Sequence, residues 1–410
     1  MNGNLDMDIH EKETLVEWEK GESPRAVQSP ERWMSWIDTG LEIFYKVILS
    51  IAALLLLGHT FFCKARPKLV ATRVEGVPQF VLDYGISLIP SSRTLLIPSA
   101  PLTYLDTAEA YFPSDISAQI TYTHPAINGT SMHKDGDDLP TLNTTNLHIL
   151  NKYGENGTDI YLTSNTDITS SPSWLTGVVP NSTTGKTSNA ISCAIIIYPK
   201  PSLSVIDVFY FYFYAYNQGN TVFGRELGDH IGDWEHNMIR FQDGVPQAMW
   251  FSQHSNGQAF TYPSLEKLKS GPGKGKRPIN YSARGSHANY ATTGKHDHTI
   301  PDLNLPNGFI IDYTSKGTLW DPVLNAYYYN YNGSTNTFEG INGAPEGAMH
   351  YRGHWGDEQY PAEDPRQPDP FFGFVKYVSG PTGPQDKYLE RENICPGNGI
   401  PCFVRDRLGP

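Results

Sequence analysis

The chain has 410 residues, a formal net charge of −12, and 37 glycines, 31 prolines and 24 tyrosines. This composition is typical of a turn-rich β protein, and the length allows one large domain or two ordinary ones. The sequence contains no basic helix, zinc knuckle or clustered basic face, which excludes nucleic acid as a partner. Ten acidic and four basic residues fall within residues 1–45, where low hydrophobicity predicts an acidic, disordered N-terminal tail.

An apolar run follows this tail. Val47–Cys63 contains 17 residues without Asp, Glu, Lys or Arg, and it predicts a single transmembrane anchor over residues 46–66. The run begins more than forty residues into the chain, which argues against a cleaved signal peptide. Its lack of a polar face argues against a buried core helix.

Two patterns disagree about the orientation of this anchor. Lys64, Arg66, Lys68 and Arg73 follow the run, and the positive-inside rule would place them in the cytosol. Six Asn-x-Ser/Thr glycosylation sites instead favour a lumenal C-terminal part, and all of them follow the run: Asn128, Asn143, Asn156, Asn181, Asn280 and Asn332. We therefore expect a single-pass membrane glycoprotein whose C-terminal domain lies in the lumen of the secretory pathway or vacuole.

Two of the four cysteines lie close together near the C-terminus. Cys395 and Cys402 flank the Gly/Pro turn PGNGIP. In an oxidising lumen we expect these residues to form a disulfide. Two free thiols in a terminal loop are the alternative, and the sequence leaves both open.

Strand patterns dominate from residue 190 onward. Ile191–Tyr198 and Val205–Tyr216 are rich in β-branched and aromatic residues and predict two buried strands. Residues 234–241 alternate apolar and polar side chains, and the turn pair Asp243-Gly244 precedes the apolar run Ala248–Phe251, so we predict a β-hairpin. The predicted fold is mainly β, an antiparallel β-sandwich with long loops over residues 77–402, preceded by one transmembrane helix.

The first strand of this hairpin carries a polar cluster, His230-Ile231-Gly232-Asp233-Trp234-Glu235-His236. Side chains two residues apart share a face of a strand, so Asp233 and Glu235 should project together. Gly228 and Gly232 would let the chain bend and return the His230 imidazole toward them. The second strand of the hairpin delivers His254. We expect His230, Asp233, Glu235 and His254 near one end of a sheet.

Carboxylates and imidazoles form a ligand set suited to a divalent cation, Mg, Ca, Mn or Zn. We therefore predict these four residues as metal ligands. The same groups could act as acid and base. A purely structural role, in which Asp233 caps a turn and Trp234 packs in the core, is the third interpretation.

Further polar groups follow later in the chain. Arg284 and His287 come after the strand-like INYSA, and His354 and Asp357 lie in GHWGD; we predict all four as ligand-binding residues. The triplet His296-Asp297-His298 can also bind metal, although an exposed loop is the default interpretation. GPGKGKR lacks the spacing of a phosphate loop, and neither G-x-S-x-G nor H-E-x-x-H occurs.

Several longer motifs carry a family resemblance. ISCAIIIYPKP, GDHIGDWEHNMIRF, MWFSQHSNGQAF, RPINYSARGSHANYATTGKH, GTLWDPVLNAYYY and YVSGPTGPQDK resemble the vacuolar protein sorting-associated protein 62 family of fungi over roughly residues 77–402. The resemblance implies a role in delivering proteins to the vacuole, often behind an N-terminal hydrophobic segment, and it names no chemistry. Relative to the family, residues 85–99 are additional, either as a true loop insertion or as an untrimmed intron in the gene model.

A second, more local resemblance covers VFYFYFYAYN, HIGDWEHNMIRF and MWFSQHS. These segments are similar to the core of the necrosis- and ethylene-inducing protein family. That resemblance implies a secreted β-sandwich with a divalent cation in a surface cavity and a glycosylated sphingolipid as target. The family's His, Asp and Glu ligands match His230, Asp233 and Glu235, and a further family histidine matches His254. The family's upstream Asp has no counterpart near residue 222.

We therefore predict a membrane-anchored lumenal factor in protein delivery to the vacuole. It would bind a glycan, a lipid or a cargo protein at the His/Asp/Glu site. The alternative is a metal-dependent hydrolase that uses the same site, with His287 as acid or base.

Overall fold

The structure, a computed structural model, describes residues 100–132, 139–200, 204–270, 274–299, 308–400 and 402–409. The predicted tail over 1–45, the anchor over 46–66 and the additional residues 85–99 lie outside these ranges. Across the described ranges, no helix combines the length and the apolar character needed to cross a membrane.

The described residues form nineteen strands and one α-helix. In chain order they are β1 (Leu102–Leu105), α1 (Ile116–Tyr122), β2 (Thr123–Ile127), β3 (Thr130–Ser131), β4 (Tyr161–Ser164), β5 (Cys193–Lys200), β6 (Val205–Asn217), β7 (Asn220–Val222), β8 (Arg225–Leu227), β9 (His230–Gln242), β10 (Val245–Gln253), β11 (Asn256–Thr261), β12 (Ile279–Ser282), β13 (Asn289–Tyr290), β14 (Gly294–Asp297), β15 (Ile311–Thr314), β16 (Leu319–Trp320), β17 (Ala326–Asn332), β18 (Thr337–Ile341) and β19 (Val404–Arg405). Short 3₁₀ helices lie at Leu147–Lys152, Ile168–Ser170, Ser173–Thr176, Tyr262–Ser264, Pro322–Asn325 and Pro384–Asp386.

The largest sheet has eight strands in the order β18-β17-β5-β6-β9-β10-β11-β19. Its centre is the β6–β9 pair, which runs in register from Val205 opposite Gln242 to Asn217 opposite His230. Aromatic residues along β6 alternate between the two faces, as the strand period requires. Both faces are buried, so the dense aromatic run of β6 is a central strand, as predicted.

Layers of structure cover both faces of this sheet. On one face lies a four-stranded sheet, β13-β12-β1-β16, where the Trp320 ring packs edge-on against Tyr212 at 5.2 Å and Tyr214 at 6.0 Å between ring centroids. On the other face, residues of α1 and β4 and of the segment around Trp355 pack against Trp234 and Phe213. The predicted mainly β fold is confirmed.

The purely antiparallel pairing that we predicted is not found. Strands β1 and β12, β5 and β17, and β11 and β19 pair in parallel. Parallel neighbours need long connections, and each of these pairs is separated by more than a hundred residues of chain. Local sequence patterns do not encode such pairings.

The predicted hairpin is confirmed. Strands β9 and β10 pair antiparallel through Asp243 and Gly244, whose φ angles of +49° and +76° suit the tight turns that join hairpin strands. Trp250 lies opposite Met238 and Phe251 opposite Asn237. Continuing this register, His254 follows the end of β10 at the same end of the sheet as Asp233 and Glu235.

The C-terminal segment is fastened to the edge of the large sheet. Cys395 and Cys402 form a disulfide, which confirms the expected pairing. Strand β19 follows and pairs with β11. The loop closed by the disulfide therefore lies beside strands β10 and β11.

Accessibility divides the six predicted glycosylation sites into two groups. Asn280 lies within β12 with no solvent exposure, and its amide nitrogen donates hydrogen bonds to Thr103 and Asn289. The other five are exposed: Asn128, Asn143, Asn156, Asn181 and Asn332. The folded chain can accept glycans at these five positions and not at Asn280.

Gly232 provides a test of the packing around the polar cluster. It has a φ angle of +67°, and a Cβ there would overlap the carbonyl oxygen of Trp355. Gly224 has a similar φ of +77° with nothing within 4 Å of its Cβ position. Positive φ costs an alanine about 1–2 kcal/mol, and a backbone overlap adds about 1–3 kcal/mol.

We expect Gly232→Ala to lower the free energy of unfolding by about 3 kcal/mol and Gly224→Ala by about 1 kcal/mol. Urea denaturation of both variants beside the wild type measures the difference. Equal losses in the two variants would contradict the close packing of Gly232 on the Trp355 carbonyl.

Candidate functional site

Asp233 and Glu235 project from β9 toward the four-stranded sheet, opposite Tyr214 and Tyr212 of β6. Trp234 points to the other face of the sheet, into the core cluster that contains Trp355. Both carboxylates are buried. This confirms the shared face that strand periodicity predicts for Asp233 and Glu235.

Asp233 makes its main contact with His287, which lies in the turn between β12 and β13. The His287 Nδ1 is 2.9 Å from Asp233 Oδ2, and the Nε2 is 3.0 Å from the carbonyl oxygen of Tyr111. The ring stacks on Tyr214 with centroids 3.7 Å apart. A carbonyl can only accept a hydrogen bond, so Nε2 donates to Tyr111 and Nδ1 faces the carboxylate.

Burial by itself would lower the pKa of His287. The hydrogen bond that His287 donates to Asp233 and the charges of Glu109 and Asp233 outweigh burial, and the pKa of His287 is raised above its ordinary value of 6.5. A raised folded-state pKa contributes stability that is complete below pH 6.5 and is lost as the pH rises through the folded-state pKa. His287 is therefore protonated more readily than a free histidine, and once protonated it forms a buried ion pair with Asp233.

Glu109 supports this pair from the segment after β1. Its carboxylate lies 3.8 Å from His287 Nε2 and accepts hydrogen bonds from the backbone N–H groups of Ala110, Tyr111 and Gly285. Glu109 thus connects the segment that carries Tyr111 to the turn that carries His287.

Glu235 lies two residues beyond Asp233 on β9. It accepts a hydrogen bond from the Ser252 hydroxyl of β10. Burial and the nearby charge of Asp233 raise the pKa of Glu235 to about 7, against the hydrogen bond from Ser252 and the positive charge of His254. A carboxyl with this pKa can hold or release a proton at neutral pH.

His254 contacts a residue of a different sheet. Its Nε2 is 3.0 Å from Oδ2 of Asp312 on β15. Burial opposes protonation of His254, but the Asp312 carboxylate raises its pKa to about 9. The same contact and that of His298 hold the pKa of Asp312 well below its usual value, despite burial. The His254 side chain retains 31% exposure, so solvent screens this pair.

A cavity of about 350 Å³ opens beside Glu235 and His254. One wall is the hairpin, and the other is the C-terminal segment that the disulfide closes. The Asn398 amide donates to the Ser255 carbonyl at 3.1 Å and so fixes the disulfide loop against the hairpin. The lining residues are Trp234, Glu235, His236, Trp250, Ser252, His254, Ser255, Asn256, Asp386, Lys387, Tyr388, Arg391, Pro396, Asn398 and Ile400.

The structure brings only part of the predicted metal set together. Glu235 and His254 line one cavity, Asp233 faces His287, and the Nδ1 of His230 lies 2.7 Å from the Gly232 carbonyl. Among the described residues, these four do not form a group of ligand atoms within 4.8 Å of one another. A cation held by all four stays a prediction.

The four predicted binding residues do not line the cavity. His287 has no solvent exposure. Arg284 is exposed, and its guanidinium lies 5.3 Å from the centroid of the Tyr313 ring. His354 Nδ1 donates to the Gly380 carbonyl at 2.7 Å, and Asp357 accepts from Tyr360 and from the Ser164 N–H. In this structure His354 and Asp357 hold the chain around β4.

Sequence reasoning missed Glu109, Asp312 and the cavity wall at 386–400. Of these, the sequence could have indicated only Asp312. An acidic residue within the apolar strand pattern FIIDYT needs a buried partner. Glu109 gives no such signal, because it lies in a short loop. Its role depends on a contact with a residue 176 positions away in sequence.

Comparison with known proteins agrees with the longer motifs. The family model of vacuolar protein sorting-associated protein 62 matches residues 86–299. TDA6 of Saccharomyces cerevisiae is 36% identical over 329 residues, which cover 74% of this chain and 68% of that protein. Vacuolar protein sorting-associated protein 62 of the same yeast is 34% identical over 343 residues, which cover 78% and 68% of the two chains.

One solved structure was also similar, the necrosis- and ethylene-inducing protein 2 from the causal agent of witches' broom disease of cocoa. It is 14% identical and covers 53% of this chain and 72% of its own, with a TM-score of 0.24. This value is too low to support an inference about the fold or the cation site.

Asp233 and His287 provide a test of the buried ion pair. Asp233→Ala removes the partner of a buried imidazolium, which costs about 3–5 kcal/mol. Asp233→Asn can donate its amide hydrogen to the Nδ1 of a neutral His287, so we expect a loss of only about 1–2 kcal/mol. Denaturant unfolding at pH 6 measures both variants, and an alanine variant as stable as the wild type would contradict the pair.

Proposed function

The chain belongs to the vacuolar protein sorting-associated protein 62 family, and we propose that it acts as a binding protein whose cavity between the hairpin and the disulfide loop holds a glycan. Membership of the family supports a vacuole-related role. The glycan belongs to the proposal and would be carried by a cargo protein or a lipid.

The lining of the cavity carries this proposal. Sugars are bound by aromatic faces together with hydrogen-bonding groups that can serve several hydroxyls. Tyr388 offers such a face at the rim, with 54% of its surface exposed. Glu235, Ser252, His254 and Asn398 offer acceptors and donors within the same cavity.

The charge of the lining also favours a neutral, hydroxyl-rich ligand. Asp386 and Lys387 are adjacent in the cavity wall. Their opposite charges offset each other, so they do not form a patch of one sign. Arg391 is buried and directs its guanidinium at His236 Nε2, 2.7 Å away. The cavity wall therefore has no strong electrostatic potential of one sign that would attract a highly charged anion or cation.

Binding is better supported than hydrolysis. Both ring nitrogens of His287 are engaged, one by Asp233 and one by the Tyr111 carbonyl, so this histidine has no free nitrogen with which to move a proton. The Ser252 hydroxyl donates to Glu235. One observation favours the hydrolase alternative, since the pKa of about 7 at Glu235 suits a general acid.

The tyrosine at the rim tests the cavity. Removing an aromatic face costs about 0.5–1.5 kcal/mol, so we expect Tyr388→Ala to weaken glycan binding by up to about tenfold. An array of immobilised oligosaccharides and glycosylated lipids supplies the probe, and the strongest ligand is then titrated into each variant.

Phe372→Ala is the matched control, because Phe372 is also an exposed aromatic with positive φ, outside the cavity lining. It should bind as the wild type does. Equal weakening in both variants, or no oligosaccharide bound by the wild type, would refute the glycan proposal.

The exposed asparagines test the lumenal orientation that we propose for the C-terminal domain. In a lumenal domain we expect endoglycosidase treatment to remove glycans from several of the five exposed sites. Asn128→Gln, as one of the five, should reduce the mass shift, whereas Asn280→Gln should leave it unchanged, because Asn280 is buried. If endoglycosidase treatment left the mass of the protein isolated from cells unchanged, this orientation would be contradicted.

A further inference from the structure

A second cluster of ligating side chains lies beside the cavity. It comprises His254 after β10, His298 after β14, and Asp312 on β15. Within the part of the chain that the structure describes, this is the group of three His, Cys, Asp or Glu residues whose ligand atoms all lie within 4.8 Å of one another. The three residues come from three separate segments, so the fold assembles the cluster.

The two distances from Asp312 to the histidines match those between ligands of one tetrahedral metal ion. The Asp312 Oδ2 lies 3.0 Å from His254 Nε2 and 3.5 Å from His298 Nε2. Zinc ligands at about 2.0–2.1 Å from the ion in tetrahedral geometry are separated from one another by about 3.3 Å. The two observed distances bracket this value.

Asp312 is held as a metal-binding carboxylate would be. Its side chain has no exposure, and it accepts hydrogen bonds from the Ser286 and Tyr290 hydroxyls, each at 2.7 Å, and from the Asn220 amide at 3.1 Å. Outer hydrogen bonds of this kind fix the orientation of a ligand and raise metal affinity.

An ion pair between His254 and Asp312 does not explain His298. The His298 Nε2 is buried and forms no hydrogen bond with any described residue, although it lies 3.5 Å from Asp312. The His254 and His298 rings stack with centroids 4.3 Å apart. One imidazolium already balances the charge of the carboxylate, so a second imidazole beside the same oxygen, with a nitrogen that makes no well-formed hydrogen bond, is explained better as a second metal ligand.

The backbone at His254 gives further support. His254 has a φ angle of +56°, a conformation that costs a residue with a side chain about 1–3 kcal/mol and is concentrated at functional sites. This conformation turns the end of β10 so that the imidazole reaches Asp312.

We propose that His254, His298 and Asp312 form a zinc site. Two imidazoles with one carboxylate suit Zn²⁺, whereas Mg²⁺ and Ca²⁺ prefer oxygen ligands. Three protein ligands leave a fourth coordination position for water or for a group of a ligand in the cavity, which His254 also lines. The site does not depend on glycan binding.

Metal titration of the full-length protein tests this site without any glycan. The chelator-treated protein is titrated with Zn²⁺ by calorimetry and with Co²⁺ by visible absorption, whose intensity reports four-coordinate geometry. We expect one ion per chain, intense Co²⁺ bands, and displacement of Co²⁺ by Zn²⁺ but not by Mg²⁺ or Ca²⁺.

His298→Gln should weaken Zn²⁺ binding by about 100-fold or more and abolish the Co²⁺ bands, while circular dichroism shows a folded protein. His254→Gln should do the same, which keeps the test valid if one variant misfolds. His148→Gln, at an exposed histidine outside the cluster, should bind as the wild type does. No bound ion in the wild type, or unchanged affinity in both His254→Gln and His298→Gln, would overturn the proposal, and glycan binding by the wild type would still stand.

Discussion

The contact between Asp233 and His287 connects the two largest sheets. Asp233 belongs to β9 of the eight-stranded sheet, and His287 belongs to the turn between two strands of the four-stranded sheet. The histidine also donates to the Tyr111 carbonyl and stacks on Tyr214, so three segments meet at one ring. A buried pair adds little net stability compared with a well-packed apolar pair, but removing either partner is costly. Its main effect is therefore to fix how the two sheets are placed against each other.

This placement determines the surroundings of the neighbouring polar groups. Asp233 faces His287, and Glu235, two residues further along β9, lines the cavity, where burial and the Asp233 charge raise its pKa to about 7. His254 and His287 both adopt positive φ, and both use that conformation to reach a carboxylate of another segment. His254 both lines the cavity and contacts Asp312 in the histidine cluster. One residue belongs to both, which would allow a ligand in the cavity to contact a bound ion.

The sequence was sufficient to predict what local patterns encode. The alternation after Trp234 and the Asp243-Gly244 turn predicted the hairpin and the common face of Asp233 and Glu235. The short spacing of Cys395 and Cys402 made a disulfide possible, and the structure decided between that disulfide and two free thiols. The parallel pairings, the partner of His254 and the second wall of the cavity could not be predicted, because each depends on contacts between residues far apart in sequence. His287 was identified as a site residue, but only the structure shows that both of its nitrogens are engaged.

The protonation state of His287 is the most direct measurement of the contact on which this account depends. Nitrogen-15 NMR of the histidine side chains at pH 6.5, the ordinary pKa of histidine, distinguishes an imidazolium with two N–H groups from a neutral ring with one. The account predicts that His287 is predominantly doubly protonated at this pH and returns to the neutral form only at higher pH. A His287 ring that is already neutral at pH 6.5 would contradict the buried ion pair and its role in joining the two sheets.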